Sequence, residues 1–369
     1  MTAPRPTIAV LHLGSAGSLG GRRRVNGLKE IFSAAGAEVL DVALLADHPL
    51  ELRDLGRSIG DLRHLARGRV VPESMAWSHR AVTERLETVG VDVVICVSAR
   101  AYHPALLTGP WTVVVDYVDR LSDSYADRAR IAGRGLRSLG FRTLATTAGR
   151  FEQRPLPAGT MGIAAGWDDA TALGVDWVPI TIDLPADGGP RAVTHDVLFL
   201  GKLSYPSNVA GIVRLGSVWP AVLARRPVTT LLLAGAAPSA AVVSLADHHG
   251  WTLRADFPDL AEVVTSARLA AAPLRHASGI QIKVLEAASF GLAQVIGAAV
   301  AKGFGPGMPA VVVESDEQLV SALVDLLDDP VDLERLGKAA QAHVGEVYNV
   351  ERWVPWARGV LDTALARRG

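Results

Sequence analysis

Short apolar runs rich in valine, isoleucine and leucine alternate with longer amphipathic stretches along this chain, and the alternation happens twice. In the first half, Thr7–Leu13, Ala37–Val42, Val91–Val97 and Thr112–Val115 read as strands bounded by turn residues. A helix follows the glycine-rich segment Gly14–Gly21, runs to about Ala35 and ends at Gly36. The charged, periodic stretch Leu62–Val89, with Trp77 its only aromatic, is expected to be helical and partly exposed. In the second half the strands are His195–Leu200, Val228–Ala234, Arg268–Ala272 and Ala293–Ile296. The helices are Asn208–Ala224 and Ile280–Phe290, the latter stopped by Gly291, with tail helices near Asp316–Leu327, Leu333–Val347 and Val350–Arg367.

Strands with interposed helices imply parallel sheets with right-handed crossovers. Residues 155–190 are rich in Pro, Gly and Asp, and the linker is expected at about 183–192. The fold class is therefore α/β: two doubly wound, Rossmann-like domains facing across a cleft, where open α/β sheets bind ligands. The expected division is 1–185, 192–350 and a terminal helix over 351–369.

Composition narrows the function. A net charge of −1 argues against a nucleic-acid partner, which asks for a strongly basic domain. The single cysteine, Cys96, allows no intramolecular disulfide; it lies in an apolar run as a small buried filler, and a reducing, cytoplasmic setting fits. No stretch reaches the ~18 apolar residues of a membrane span, and the Ile8–Leu13 run is too short for a signal peptide. The chain has only five lysines, Lys29, Lys202, Lys283, Lys302 and Lys338, so each position carries information.

Two of them fall in one chemical pattern. The segment from Pro273 to Gly291 runs from a strand end through Arg275, Ser278 and Gly279 into a helix carrying Lys283 and Glu286. Gly279 lets backbone approach a ligand, and the free N–H groups of a helix start suit a phosphate. Glu286 lies seven residues past Gly279, two turns on if the helix starts there, and a carboxylate can accept hydrogen bonds from a ribose diol. The segment Phe199–Asn208 places Gly201 and Lys202 just after a strand.

These motifs carry a resemblance. Gly201-Lys202-Leu203-Ser204-Tyr205-Pro206-Ser207-Asn208, then Ala234-Gly235, then Phe257-Pro258-Asp259-Leu260, then Ser278–Gly291 resemble the retaining glycosyltransferases of family 4, of GT-B fold, especially a polysaccharide-associated branch. The resemblance spans about residues 195–350. In the first half it rests on Gly20-Gly21 and on Asp116-Tyr117-Val118-Asp119 followed by Ser122-Asp123. It implies a sugar donor activated by UDP or GDP, a small-molecule, glycan or lipid-linked acceptor, and retention of configuration. Lys202 and Lys283 would neutralise the diphosphate with Arg275 helping. Gly279 and Ile280 would offer backbone N–H groups, and Glu286 would bind the ribose. Ser278 stands where the family usually has Glu. Lys202, His103 and Asp119 are the catalytic candidates, and Gly20, Gly21 and Asp116 would face the acceptor. The tail around Trp353–Arg367 resembles the GT-B helix that crosses back onto the first domain.

Glycosyl transfer builds negative charge on the leaving diphosphate. The chain has no Asp-x-Asp, so cationic side chains and a helix start are expected to do the work of a metal, and no cofactor is expected. Arg22-Arg23-Arg24 and Arg128, Arg130, Arg134, Arg137 and Arg142 make the first half locally basic; the readings are a solvated helix face or attraction to an anionic membrane surface. Two rivals stand beside the transferase: a non-catalytic sugar-nucleotide-binding or partner-activating protein of the same fold, and a nicotinamide oxidoreductase. The spacing of Gly14, Gly17, Gly20 and Gly21 disfavours the last.

Overall fold

The computed structural model describes residues 5–14, 19–47, 55–185 and 192–367. They form two compact units, one built from the chain up to residue 181 and from 350 onward, the other from 182–349. Most of the expected linker, 186–191, lies outside the described residues, as does 15–18 of the glycine-rich segment.

The first unit contains β1 (Thr7–His12), α1 (Leu19–Ala34), β2 (Glu38–Ala43), α2 (Leu44–Asp47), α3 (Leu55–Ala66), α4 (His79–Val89), β3 (Val93–Val97), β4 (Thr112–Asp116), α5 (Leu121–Ile131), α6 (Leu136–Glu152), β5 (Thr160–Ala164), α7 (Trp167–Leu173) and β6 (Asp176–Trp177). Its six strands pair in parallel in the order β2-β1-β3-β4-β5-β6. Every residue of β3 and β4 is buried, which is why both read as unbroken apolar runs rather than alternating ones. Cys96 sits among them, fully buried.

Residues 62–89 are not one helix. The chain leaves α3, turns through Gly68 at φ +63°, makes a 3-10 turn over Pro72–Met75, and only then enters α4. Ser78 caps α4 by accepting from the Ala81 N–H, and Gly90 ends it at φ +75°. Trp77 lies in that connector and is fully buried. Its indole N–H donates to the Arg100 carbonyl at 3.4 Å.

The second unit contains β7 (His195–Leu200), α8 (Pro206–Arg225), β8 (Leu231–Gly235), α9 (Ala240–His249), β9 (Thr252–Ala255), α10 (Leu260–Thr265), β10 (Ala267–Ala272), α11 (Ile282–Ser289), β11 (Ala293–Gly297), α12 (Ala298–Ala301), β12 (Val311–Val313), α13 (Asp316–Asp328) and α14 (Pro330–Val347). Its sheet is also parallel and six-stranded, in the order β12-β11-β10-β7-β8-β9. The chain builds outward from β7 to β9 and then returns to build β10 to β12 on the other side. The direction therefore reverses between β7 and β10, the switch point beside which open α/β sheets hold ligands.

The last helix, α15 (Val354–Ala366), returns to the first unit. Its Ala357, Val360, Leu361 and Ala364 share a core with Ile8 and Val10 of β1 and Leu28, Ile31 and Phe32 of α1. Trp356 meets Phe32 edge-on at 5.6 Å.

Candidate functional site

The carboxyl ends of β7 and β10 carry the residues that sequence reasoning grouped together. After β7 the chain turns at Gly201, φ +143°, and an ideal Cβ placed on Gly235 at the end of β8 would lie 1.6 Å from the Gly201 carbonyl oxygen. The two turns thus meet backbone to backbone, and no side chain larger than hydrogen fits at Gly235. The Gly201 N–H donates to the Ala234 carbonyl at 3.0 Å, fixing the turn that presents the exposed Lys202.

Asn208, buried in the first turn of α8, ties this turn to the other strand. Its amide N–H donates to the Lys202 carbonyl at 2.9 Å, and its amide oxygen accepts from the Lys283 ammonium. That ammonium lies 5.1 Å from the centre of the Phe199 ring, within cation–π reach. Burial pushes Lys283 down to about 7, with the nearby Glu286 carboxylate pulling the other way. Lys283 is thus an amine whose charged form is held without full solvation, one turn from a buried Glu286.

The loop between β10 and α11 is seated from below. Gly279 adopts φ +62°, and a Cβ on Gly303 would come 2.6 Å from its carbonyl oxygen, so the 3-10 turn Lys302–Phe304 packs directly under Ser278–Ile280. The Gln281 amide donates to the Ser278 carbonyl at 3.1 Å. Helix α11 begins at Ile282, not at Gly279, so Glu286 stands one turn into it rather than two. Ser278, Gly279 and Ile280 form the turn before the helix, all half-buried.

Arg275 lies elsewhere. It is exposed and donates to both oxygens of Asp316 at 2.9 Å. Asp316 also accepts from buried Arg214 at 2.7 Å, and Arg214, then Arg275, hold its carboxyl below the usual range. Arg214 further donates to the Pro273 carbonyl at 3.0 Å, pinning the end of the β10 segment. The sequence reading missed Asn208, Phe199, Arg214 and Asp316 as parts of this site. Asn208 was visible in the sequence as the last residue of the Gly201–Asn208 motif, but without a role.

In the first unit the candidates separate. Gly20 and Gly21 belong to the first turn of α1, not to a loop. Asp116 is fully buried and grips Arg24 bidentately, at 2.8 and 2.9 Å; Arg24, itself 1% exposed, also donates to the Val178 and Pro179 carbonyls. Asp116 is thereby an internal staple with no face left for an acceptor, and Arg24 is not a solvated arginine. Asp116 also accepts from the N–H of Val118, which sits at φ +61°, a strained position for a β-branched residue. The next residue, Asp119, has its carboxyl pushed up by burial, against the pull of Arg100 and Arg128. Its neighbour Asp169 is raised to about 7 by burial and then by Asp119.

His103 lies in a buried cluster. Its Nδ1 accepts from the Ala105 N–H at 3.2 Å, capping the 3-10 turn Pro104–Thr108. Its ring stacks on His79 at 3.5 Å with 6° between planes, and its Nε2 is 3.3 Å from Asp61. Burial, then His79 and His64, push it down to about 2, so it stays neutral at ordinary pH. Asp61, His79 and His103 are close enough together to consider a metal. However, ring lone pairs point in the ring plane, and two stacked rings with centroids 3.5 Å apart and planes within 6° do not aim their lone pairs at one point. In this arrangement the pair does not form one coordination sphere.

Comparison with known proteins agrees with the motif region. Residues 194–329 match the family profile described as glycosyl transferases group 1. Comparison with curated protein sequences finds no match. Among solved structures, sucrose-phosphate synthase from Thermosynechococcus elongatus is similar, with a TM-score of 0.67 and 16% identity over 98% of this chain and 100% of that one. The α,α-trehalose 6-phosphate synthase of Burkholderia multivorans gives 0.65 and 10% over 99% and 100%. Anabaena HepE in complex with UDP and glucose gives 0.58 and 14% over 97% and 99%. At these identities the likeness shows the fold, that of GT-B glycosyltransferases.

Proposed function

We propose that this chain is a glycosyltransferase that takes a sugar from a nucleotide-diphosphate donor. The observation that carries this reading is Lys283, an incompletely solvated cation fixed by Asn208 at the switch point between β7 and β10, next to buried Glu286. The family match over 194–329 and the UDP, UDP-glucose and glucose bound by HepE support it.

In the proposed reaction Lys283 and Lys202 face the diphosphate, and the backbone N–H groups around Gly279 and the start of α11 complete its cradle. As the glycosidic bond breaks, charge moves onto the leaving phosphate, and these fixed donors stabilise it without reorganising. Glu286 accepts the ribose hydroxyls. Transfer proceeds with retention and without a metal, the leaving phosphate taking the acceptor proton. UDP or GDP donors both suit a site that reads phosphate and ribose. The test is calorimetric titration with UDP-glucose and GDP-sugars, followed by donor turnover. Glu286→Ala and Lys202→Ala should each weaken donor binding without unfolding the protein, and unchanged affinity in both would remove the site. Donor binding without any turnover, with or without acceptors, would favour the non-catalytic alternative.

The acceptor side includes a membrane surface in this reading. Helices α5 and α6 form a hairpin whose exposed Ile131, Leu136 and Leu139 are 50%, 89% and 61% accessible. Arg128, Arg130, Arg134, Arg137 and Arg142 flank them, all exposed. Apolar side chains that insert and arginines that meet anionic headgroups suit peripheral association with a negatively charged bilayer.

A further inference from the structure

The first unit holds a cavity of about 350 Å³ that the transfer site does not use. Its wall is aromatic: Tyr102, Tyr117 and Phe151 line it, with ring centroids 5.8 Å apart for Tyr102–Phe151 and 5.9 Å for Tyr117–Phe151. Arg69 and Arg154 line it too, and both are exposed at residue level, so they stand at its mouth rather than in its floor. Among the described residues neither tyrosine hydroxyl has a hydrogen-bond partner, yet neither is a sealed, unsatisfied atom. Both are therefore available to the cavity.

The shape is preformed. Tyr102 follows β3 and Tyr117 follows β4, while Leu107 precedes β4 and Pro155 and Pro157 precede β5, so the lining gathers residues from several connections of the sheet. Gly68, at φ +63°, passes so close to α6 that a Cβ on it would come 2.9 Å from the Arg150 Cβ, and this turn delivers Arg69. Pro155 and Pro157, with their fixed φ, also line the cavity. The volume falls in the ordinary range for small-molecule sites, about 300–1,000 Å³, which combine an apolar wall with a few polar anchors.

We propose that this cavity binds a small molecule with a planar, apolar body and one anionic group, the ring packing on Phe151 and the two tyrosines and the anion meeting Arg69 and Arg154. The proposal uses none of the donor residues, which all lie in the second unit. Aromatic faces favour a flat ring, and two guanidinium groups favour a phosphate or carboxylate.

The probe is phenyl phosphate, titrated calorimetrically into the full chain at low ionic strength, beside inorganic phosphate and phenol. Phenyl phosphate should bind more tightly than either fragment. Arg69→Ala should weaken it roughly tenfold, the loss of one hydrogen bond to a charged group, while UDP-glucose titration stays unchanged. Because Arg69 is exposed, the melting temperature should hold, and Arg154→Ala serves as the second variant. Equal affinity for phenyl phosphate and inorganic phosphate would mean surface arginines alone and would overturn the proposal. So would no binding of phenyl phosphate, or binding unaltered in both arginine variants.

Discussion

Lys283 makes donor binding a proton-linked event, and the size of the effect follows from its surroundings. In the free protein its ammonium is pushed down to about 7, chiefly by burial. At pH 8 about nine-tenths of the free molecules therefore carry it neutral. A bound diphosphate favours the charged form and moves it back toward the ordinary value near 10.4. Binding at pH 8 should then take up roughly 0.9 proton, and affinity should fall as pH rises from 7 to 9. The limit is about tenfold per pH unit, or roughly 2.7 kcal/mol over the two units. The assay is calorimetric titration with UDP-glucose, whose diphosphate diester has no ionisation in this window, in buffers of differing ionisation enthalpy. Lys283→Arg keeps the charge at every pH, so its profile should be flat. The stability effect has the opposite sign: between about 7 and about 10 the unfolded chain binds more protons at this lysine, so folding stability rises with pH there. Weaker binding at pH 9 would thus not reflect unfolding. A wild-type affinity independent of pH, or a slope that survives in Lys283→Arg, would refute the reasoning.

Asp116→Ala should cost about 3–5 kcal/mol, because it leaves the buried Arg24 guanidinium unpaired; urea unfolding measures it, and a loss under 1 kcal/mol would contradict the staple. His103, held at about 2 by burial, then His79 and His64, against ~6.5 unfolded, lends stability that is complete above pH 6.5 and lost below it. The slope is at most about 1.4 kcal/mol per pH unit, and thermal melts of His103→Asn between pH 4 and 7 should flatten it. Gly235→Ala should lower stability by at least about 2 kcal/mol, since its Cβ meets the Gly201 carbonyl; an unchanged melting temperature would speak against that contact. Leu136→Asp with Leu139→Asp should release the protein from phosphatidylglycerol vesicles in sedimentation, with phosphatidylcholine vesicles failing to hold even the wild type.

The fold was legible wherever burial on both faces left a strand unbrokenly apolar, as in β3, β8 and the middle of β4. Four strands were not, among them β12, which has only three residues. β5 is interrupted by Gly162, β6 has two residues, and β9 is half exposed, so none presents an apolar run long enough to stand out. The stretch 62–89 was misread for a related reason. Charge periodicity over 62–89 looks like one amphipathic helix, but Gly68 and Pro72 break it, and the connector between the two helices turns the indole inward.

The candidate site was legible as a set of residue types and less so as a distribution of charge. Lys202, Lys283, Arg275, Arg24 and Glu286 all stand out in a sequence because charged residues are easy to count. What a sequence omits is which charges are already balanced. Arg275 shares Asp316 with Arg214, the carboxylate lying forty-one residues after the one arginine and 102 after the other, and Arg24 pairs with Asp116 ninety-two residues on. Lys283 instead meets a neutral amide and an aromatic face, with Glu286 as the charge that opposes its deprotonation. A cation solvated so poorly gains more from an arriving diphosphate than one already paired does, because the paired one must first share a carboxylate. On that ground Lys283, rather than the more conspicuous arginines, is the residue around which the donor's charge is organised.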